Sequence, residues 1–255
     1  MYLQITTKCN MTCDHCCYSC TKYGRHGDYN TIIEAIRFAS SYYGDENISI
    51  GGGEPTLHPK FFEILKEAIN NFDYVWMATN GSQTESMYRL MNIIEGEDFP
   101  ECDCQERYTK EELLEYTEYE DGCLCHEKYD DDSIHLKRPD QLAVALSVDY
   151  FHDPINPNIK RMWENKSKIG NYNYELRDVS NHVIAEGRAI KTGSGWEEGC
   201  VCTDIIIKPT GKLRLCGCIN SPIIGDIHRG IDKKWEDVMH SDHFENERCY
   251  KSIRG

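Results

Sequence analysis

No run of about eighteen or more apolar residues occurs anywhere in this chain of 255 residues, which excludes a membrane-spanning helix. The opening MYLQITTKCN has neither the basic nor the apolar region of a secretion signal, so the expected compartment is the cytoplasm. A basic stripe of the kind that follows nucleic-acid phosphates is also missing. Lys and Arg number 28 against 43 Asp and Glu, and the net charge is −15. Internal repeats and low-complexity linkers are absent as well.

Cysteine, by contrast, is abundant. In a reducing compartment fourteen cysteines point to metal or cluster ligation rather than to disulfides. They are grouped: Cys9 to Cys20, Cys102 to Cys125, Cys200 to Cys218, and Cys249 alone.

The negative charge is equally local. Glu95 to Asp132 contains sixteen acidic and three basic residues, so −13 of the total lies in this stretch, the bulk of an insertion spanning 95–138. Within it, Cys102 and Cys104 face Cys123 and Cys125 across a helix expected from Thr109, with Glu112 as capping-box partner. So short a segment buries little core and needs a staple, and four thiolates could bind zinc. The alternative is a solvated acidic loop with reduced thiols, since a charge run is commonly a solubilising face. As a surface it would attract basic peptides and repel phosphates.

Elsewhere the pattern alternates strand and helix. Strands are expected at Tyr2–Thr7, Asn47–Ile50, Tyr74–Ala78, Leu142–Val148 and Tyr174–Val179. Tyr74–Ala78 reads as a strand buried on both faces. Helices are expected from Thr31, with Glu34 closing a capping box, from about Pro59 to Asn70, and over Thr84–Ile94. This order implies a parallel sheet with right-handed crossovers. Thr203–Pro209 and Lys212–Leu215 read instead as a hairpin around Thr210-Gly211, followed by a short helix near Asp232–His240.

Cys9-Asn-Met-Thr-Cys13-Asp-His-Cys16 follows the first strand with the spacing C-x3-C-x2-C. Three thiolates on one loop can hold three irons of a 4Fe-4S cluster and leave the fourth without a protein ligand. That iron is open to the amino and carboxylate groups of S-adenosylmethionine (SAM). A zinc knuckle and simple buried thiols are the competing readings. Cys13, Cys17 and Cys20 repeat the spacing. The first register is preferred because Cys9 directly follows a strand and His15 precedes the third cysteine, leaving Cys17 and Cys20 spare or structural.

Three further motifs also sit at strand ends: Gly52-Gly53-Glu54-Pro55, Thr79-Asn80-Gly81 and Ser147-Val148-Asp149. With the triad they resemble the radical SAM superfamily. The resemblance implies a partial (β/α)6 barrel over residues 1–190, with a 4Fe-4S cluster and SAM in its mouth. Gly52 and Gly53 would let backbone approach the methionyl ammonium, Glu54 would complement its charge, and Asn80 and His15 would lie by the cofactor. By the same analogy Ser147 and Asp149 would lie near the ribose or methionine. Arg177 is a candidate for the methionine carboxylate, or else a solvated surface arginine.

Residues 191–255 resemble the twitch or SPASM-type extension of that superfamily, through Pro209 to Cys216 and the spacing Cys200-x10-Gly211-x4-Cys216. Gly187-Arg188-Ala189 and Ile224-Gly225-Asp226-Ile227 fit the same pattern. The extension implies an auxiliary iron–sulfur cluster, with Cys200 or Cys202, Cys216, and Cys218 or Cys249 as candidate ligands. A structural zinc on these residues is the alternative. The shorter twitch form fits better, because the cysteines for a second auxiliary cluster are missing.

The expected function is reductive SAM cleavage and hydrogen abstraction from a peptide or protein substrate, or from a small molecule or nucleotide. A flavodoxin or ferredoxin-like reductant would serve. No module precedes the first strand, which weighs against leader-dependent peptide maturation. A rival of another class is a non-catalytic zinc-binding adaptor, which accounts for the cysteines but not for the glycine–glutamate motif.

Overall fold

In the computed structural model, which describes residues 1–96, 133–195 and 205–239, five strand–helix units succeed one another along the chain. They are β1 (Tyr2–Thr6) with α1 (Tyr29–Tyr43), β2 (Asn47–Gly52) with α2 (Phe61–Asn71), and β3 (Tyr74–Thr79) with α3 (Thr84–Glu95). β4 (Leu142–Ser147) with α4 (Pro157–Lys168) and β5 (Tyr174–Arg177) with α5 (Arg188–Thr192) complete the series. Cys102, Cys104, Cys123 and Cys125, with the helix expected between them, lie outside the described residues, as do Cys200, Cys202 and Cys249.

β1 to β5 pair in parallel with their sequence neighbours. β6 (Ile206–Ile207) then adds a sixth parallel strand on the free side of β1, where Tyr2 opposes Ile206. From there the sheet turns antiparallel through β7 (Lys212–Arg214), β8 (Ile223–Asp226) and β9 (Gly230–Ile231). The order is β5-β4-β3-β2-β1-β6-β7-β8-β9, and α6 (Lys233–Met239) follows. The architecture is thus the expected α/β parallel sheet of a partial barrel. Its sixth parallel strand comes from the C-terminal hairpin.

Helix stripes explain the packing. On α2 the buried residues Phe61, Ile64, Leu65, Ala68 and Ile69 recur at helical spacing on the face that meets the sheet. Each fully buried side chain of this size contributes roughly 1.5–3 kcal/mol. β4 is buried on both faces, as a central parallel strand should be.

Several expectations are corrected. The α1 cap is Asp28, whose carboxylate accepts from Thr31 N at 3.1 Å, so Thr31 lies inside the helix instead of opening it. β3 alternates: Val75, Met77 and Thr79 are buried, whereas Trp76 and Ala78 face a cavity. An apolar run therefore served one packed face and one cavity wall. Two helices were not anticipated. α4 buries only Ile159 and Trp163, too thin a stripe to stand out, and α5 has five residues. Trp163 packs edge-on against Tyr174 at 4.8 Å and donates to the Glu175 carbonyl at 3.2 Å, fixing α4 to β5.

Candidate functional site

A parallel sheet brings the C-terminal ends of its strands to one edge, and this is where the motifs meet. Cys9, Cys13, His15 and Cys16 after β1, Gly52 and Gly53 at β2, and Asn80 after β3 line one cavity of about 300 Å³. Ser147 and Asp149 from the end of β4 and Arg177 from β5 line it too. Ten of the eleven residues expected at this site therefore converge on one space.

Close approach explains the glycine motif. A Cβ on Gly53 would lie 2.1 Å from the Lys8 carbonyl oxygen and 3.0 Å from the Cys9 Cβ. Its amide donates to the Thr6 carbonyl at 2.9 Å, and the Glu54 amide donates to Lys8 at 2.9 Å. The β2 loop is thereby pinned against the cysteine loop.

Glu54, the eleventh residue, turns inward and is fully buried. Its Oε1 accepts from Thr56 N at 3.1 Å, Thr56 Oγ1 at 2.5 Å and Thr79 Oγ1 at 2.8 Å. Its Oε2 accepts from Asn80 N at 2.7 Å. Glu54 thus ties the ends of β2 and β3 together and is not among the residues that line the cavity. Burial outweighs these bonds and raises its pKa. Asn80 then presents its side-chain amide to Asn10 Oδ1 at 3.0 Å and to Cys9 Sγ at 3.9 Å.

The thiols differ electrostatically. Burial, helped by Glu54 and the other two thiols, pushes Cys9 up to about 11. Cys16 is lowered to about 6, chiefly by a hydrogen bond from Cys20, while the buried Cys20 is raised and keeps its proton. A metal ligand must be a thiolate, so ligation of Cys9 releases a proton at neutral pH.

Beside the thiols lies a compact acid–histidine group. His152 Nδ1 is 2.7 Å from Asp149 Oδ1, and the ligand atoms of His15, Asp149 and His152 all lie within 4.8 Å of one another. The His15 ring packs against Phe151 at 4.5 Å, tilted by 35°. Burial lowers His15 to about 4. His152, although buried, is raised to about 9 by its hydrogen bonds to Asp149 and Cys13. Asp149 Oδ2 and His15 Nδ1 are buried with no protein partner. Such orphaned polar atoms fit a bound polar cofactor.

The cysteine loop is held by α5 and the residues just after it, distant in sequence. Arg188 donates through Nη1 to the Cys13 carbonyl at 2.7 Å and through Nη2 to the Cys20 carbonyl, and its amide bonds the Cys16 carbonyl at 2.9 Å. Thr192 and Ser194 both donate to the Asp14 carbonyl at 3.0 Å. Sequence reasoning noticed Gly187-Arg188-Ala189 without giving Arg188 a role, and it missed His152. The only available signal for His152 was its spacing three residues after Asp149.

Among the described residues, the three thiols do not form a set within 4.8 Å of one another. Three thiols on one loop are nevertheless a donor set suited to a cubane cluster with one iron left open.

Residues 3–94 match the sequence profile of the Radical SAM superfamily. The match spans 92 of the 255 residues and covers β1 to α3, the part that holds the cysteine and glycine motifs. A tungsten-containing aldehyde ferredoxin oxidoreductase cofactor-modifying protein of Pyrococcus furiosus is 31% identical over 90 residues, covering 32% of this chain and 24% of that protein. An S-adenosylmethionine-dependent nucleotide dehydratase of a Thermoplasmatales archaeon is 42% identical over 98 residues, covering 36% and 34%. The chain thus spans about a fifth to a third of the curated relatives it matches. The crystal structure of BtrN in complex with AdoMet and 2-DOIA aligns over 97% of this chain and 84% of that one, with a TM-score of 0.52 and 14% identity. At that identity the likeness is one of fold. No helix among the described residues is long and apolar enough to cross a membrane.

Proposed function

We propose that this protein reductively cleaves SAM and abstracts a hydrogen atom from an organic substrate, using a 4Fe-4S cluster held by Cys9, Cys13 and Cys16. The observation that carries the reading is the convergence of the cysteine triad with Gly52, Gly53, Asn80, Ser147, Asp149 and Arg177 on one cavity. When bound, the cluster and SAM supply an electron and a 5′-deoxyadenosyl radical.

The chain's own residues bind and orient. The tight backbone at Gly53 holds the β2 loop against Cys9, and Asn80 steadies that thiol. Asp149 keeps Oδ1 on His152 and turns its unpartnered Oδ2 toward a ligand donor. Arg177, at the β5 rim, offers a guanidinium suited to a carboxylate.

For the substrate, the likeness of the C-terminal hairpin to twitch-type extensions supports a peptide or protein. A second reading, a nucleotide, is supported by the 42% identity to the archaeal nucleotide dehydratase. A non-catalytic zinc-binding adaptor would leave the gathering of Ser147, Asp149 and Arg177 beside the thiols without a role.

The test is anaerobic reconstitution with iron and sulfide, then SAM and a strong reductant. The expected result is a cubane EPR signal that SAM perturbs, with release of 5′-deoxyadenosine that Cys9→Ala abolishes. Faster release with peptides supports the first substrate reading, and with nucleoside triphosphates the second. Intact SAM with only zinc bound would overturn the proposal.

A further inference from the structure

A second, smaller cavity of about 90 Å³ lies where the cysteine loop meets the C-terminal hairpin, and it contains three cysteines from both ends of the chain. Cys216 and Cys218, each 1% exposed, come from the loop after β7. That loop is fixed by Ser221, which accepts from the Cys216 amide at 2.9 Å and donates its own amide to the Cys218 carbonyl at 3.0 Å. The third is Cys17, next to Cys16 in the chain. Cys16 lines the large cavity, whereas Cys17 lines both.

We infer that Cys17 is a ligand, with Cys216 and Cys218, of a second iron–sulfur centre shared between the N-terminal loop and the hairpin. This rests on the reading that the chain assembles iron–sulfur clusters. It changes the expectation from sequence, in which Cys17 was spare and the second centre belonged to C-terminal cysteines alone.

Two observations support it. Two cations, Lys208 and Arg214, line the same cavity, and thiolates with an inorganic core form an anionic group that they complement. Lys208 is held there over the Tyr18 ring at 5.9 Å and by Gln4, and Arg214 by the Ile219 carbonyl at 2.5 Å. Cys17 is also presented with precision, because Gly187 sits so close that a Cβ there would lie 2.0 Å from the Cys17 carbonyl oxygen. Buried cysteines often act as small apolar residues, but the cations beside these three are out of place in such a core. A single peptide link joins Cys16 to Cys17, giving electrons a short covalent path between the two sites.

The experiment compares the full-length wild type with Cys17→Ala, Cys17→Ser and Cys9→Ala after anaerobic reconstitution, measuring bound iron, sulfide and EPR. Cys17→Ala is expected to lose about four irons per chain, one cluster's complement, while keeping the SAM-perturbed signal. Cys9→Ala should do the reverse. Retention of the SAM-perturbed signal in Cys17→Ser shows that the loop is intact, so its iron loss then reports ligation alone. Wild-type iron content and both signals in the Cys17 variants would overturn the inference, as would zinc released in place of iron. Absence of any cubane signal from the wild type would instead overturn the proposed function, so the two failures are distinguishable.

Discussion

Arg188 donates to the backbone carbonyl of Cys13 at 2.7 Å across 175 residues of sequence. The same guanidinium bonds the Cys20 carbonyl, so one side chain clamps both ends of the loop that carries the middle and last cysteines. Arginine suits this role because its planar fork presents several donors in fixed directions.

Arg188→Lys should therefore fail to restore the clamp, since one ammonium cannot span both carbonyls. The expected cost is about 1–3 kcal/mol for the part-buried carbonyls left without a partner. Thermal melting measures it, and iron content after reconstitution should fall in parallel. Unchanged iron retention in both Arg188→Ala and Arg188→Lys would show that the loop holds itself.

Gly187 precedes that arginine with a φ of +62°. Gly187→Ala adds a Cβ 2.0 Å from the Cys17 carbonyl oxygen, whereas Gly170, at φ +80°, has nothing within 4 Å. Gly170→Ala should cost only the backbone strain of about 1–2 kcal/mol and keep full iron loading. Gly187→Ala should displace the cysteine loop and lose iron. Parallel iron assays and melts of the two variants check this, and equal behaviour would refute it.

Glu54 gives a pH prediction. Burial raises its pKa above the ordinary value of 4.5, against the hydrogen bonds from Asn80, Thr56 and Thr79 that lower it. A raised pKa means that the folded state holds the proton more tightly than the unfolded state. Its contribution to stability is therefore full below pH 4.5 and is lost as the pH rises through the raised folded value. Glu54→Gln turns a donor toward the donors now served by the carboxylate, at a cost of about 1–3 kcal/mol. The wild type should thus melt above Glu54→Gln by a margin that narrows with rising pH. Melts over a pH series measure that margin, and a constant or widening gap would contradict the direction.

Trp163 tests how α4 is attached. Its side chain is fully buried and packs on Tyr174, so Trp163→Ala should destabilise the fold by about 3–5 kcal/mol. Urea denaturation should show a lower midpoint. Trp163→Phe keeps most of the apolar volume but loses the bond to the Glu175 carbonyl, and its loss should be smaller. A midpoint within error of the wild type in Trp163→Ala would mean that α4 is dispensable to the sheet.

The sequence by itself determined which motifs meet. Parallel strands carry their C-terminal ends to one edge, so Cys9, Gly53, Asn80, Ser147, Asp149 and Arg177, each at or just after a strand end, could be assigned to one rim from order alone. Alternation of strand and helix likewise told the fold class. What only the tertiary structure decided was the direction of particular side chains and the contacts made over long separations. Glu54 turned inward because the Thr56, Thr79 and Asn80 donors satisfy a carboxylate that burial would otherwise strand. Trp76 and Ala78 met a cavity where a packed face was expected, because an apolar run looks the same in both settings. The Arg188 clamp and the approach of Cys17 to Cys216 and Cys218 join segments more than 150 residues apart, and no local periodicity or spacing encodes such a meeting. It is fixed by β6 pairing with β1, which brings the C-terminal hairpin beside the first cysteine loop.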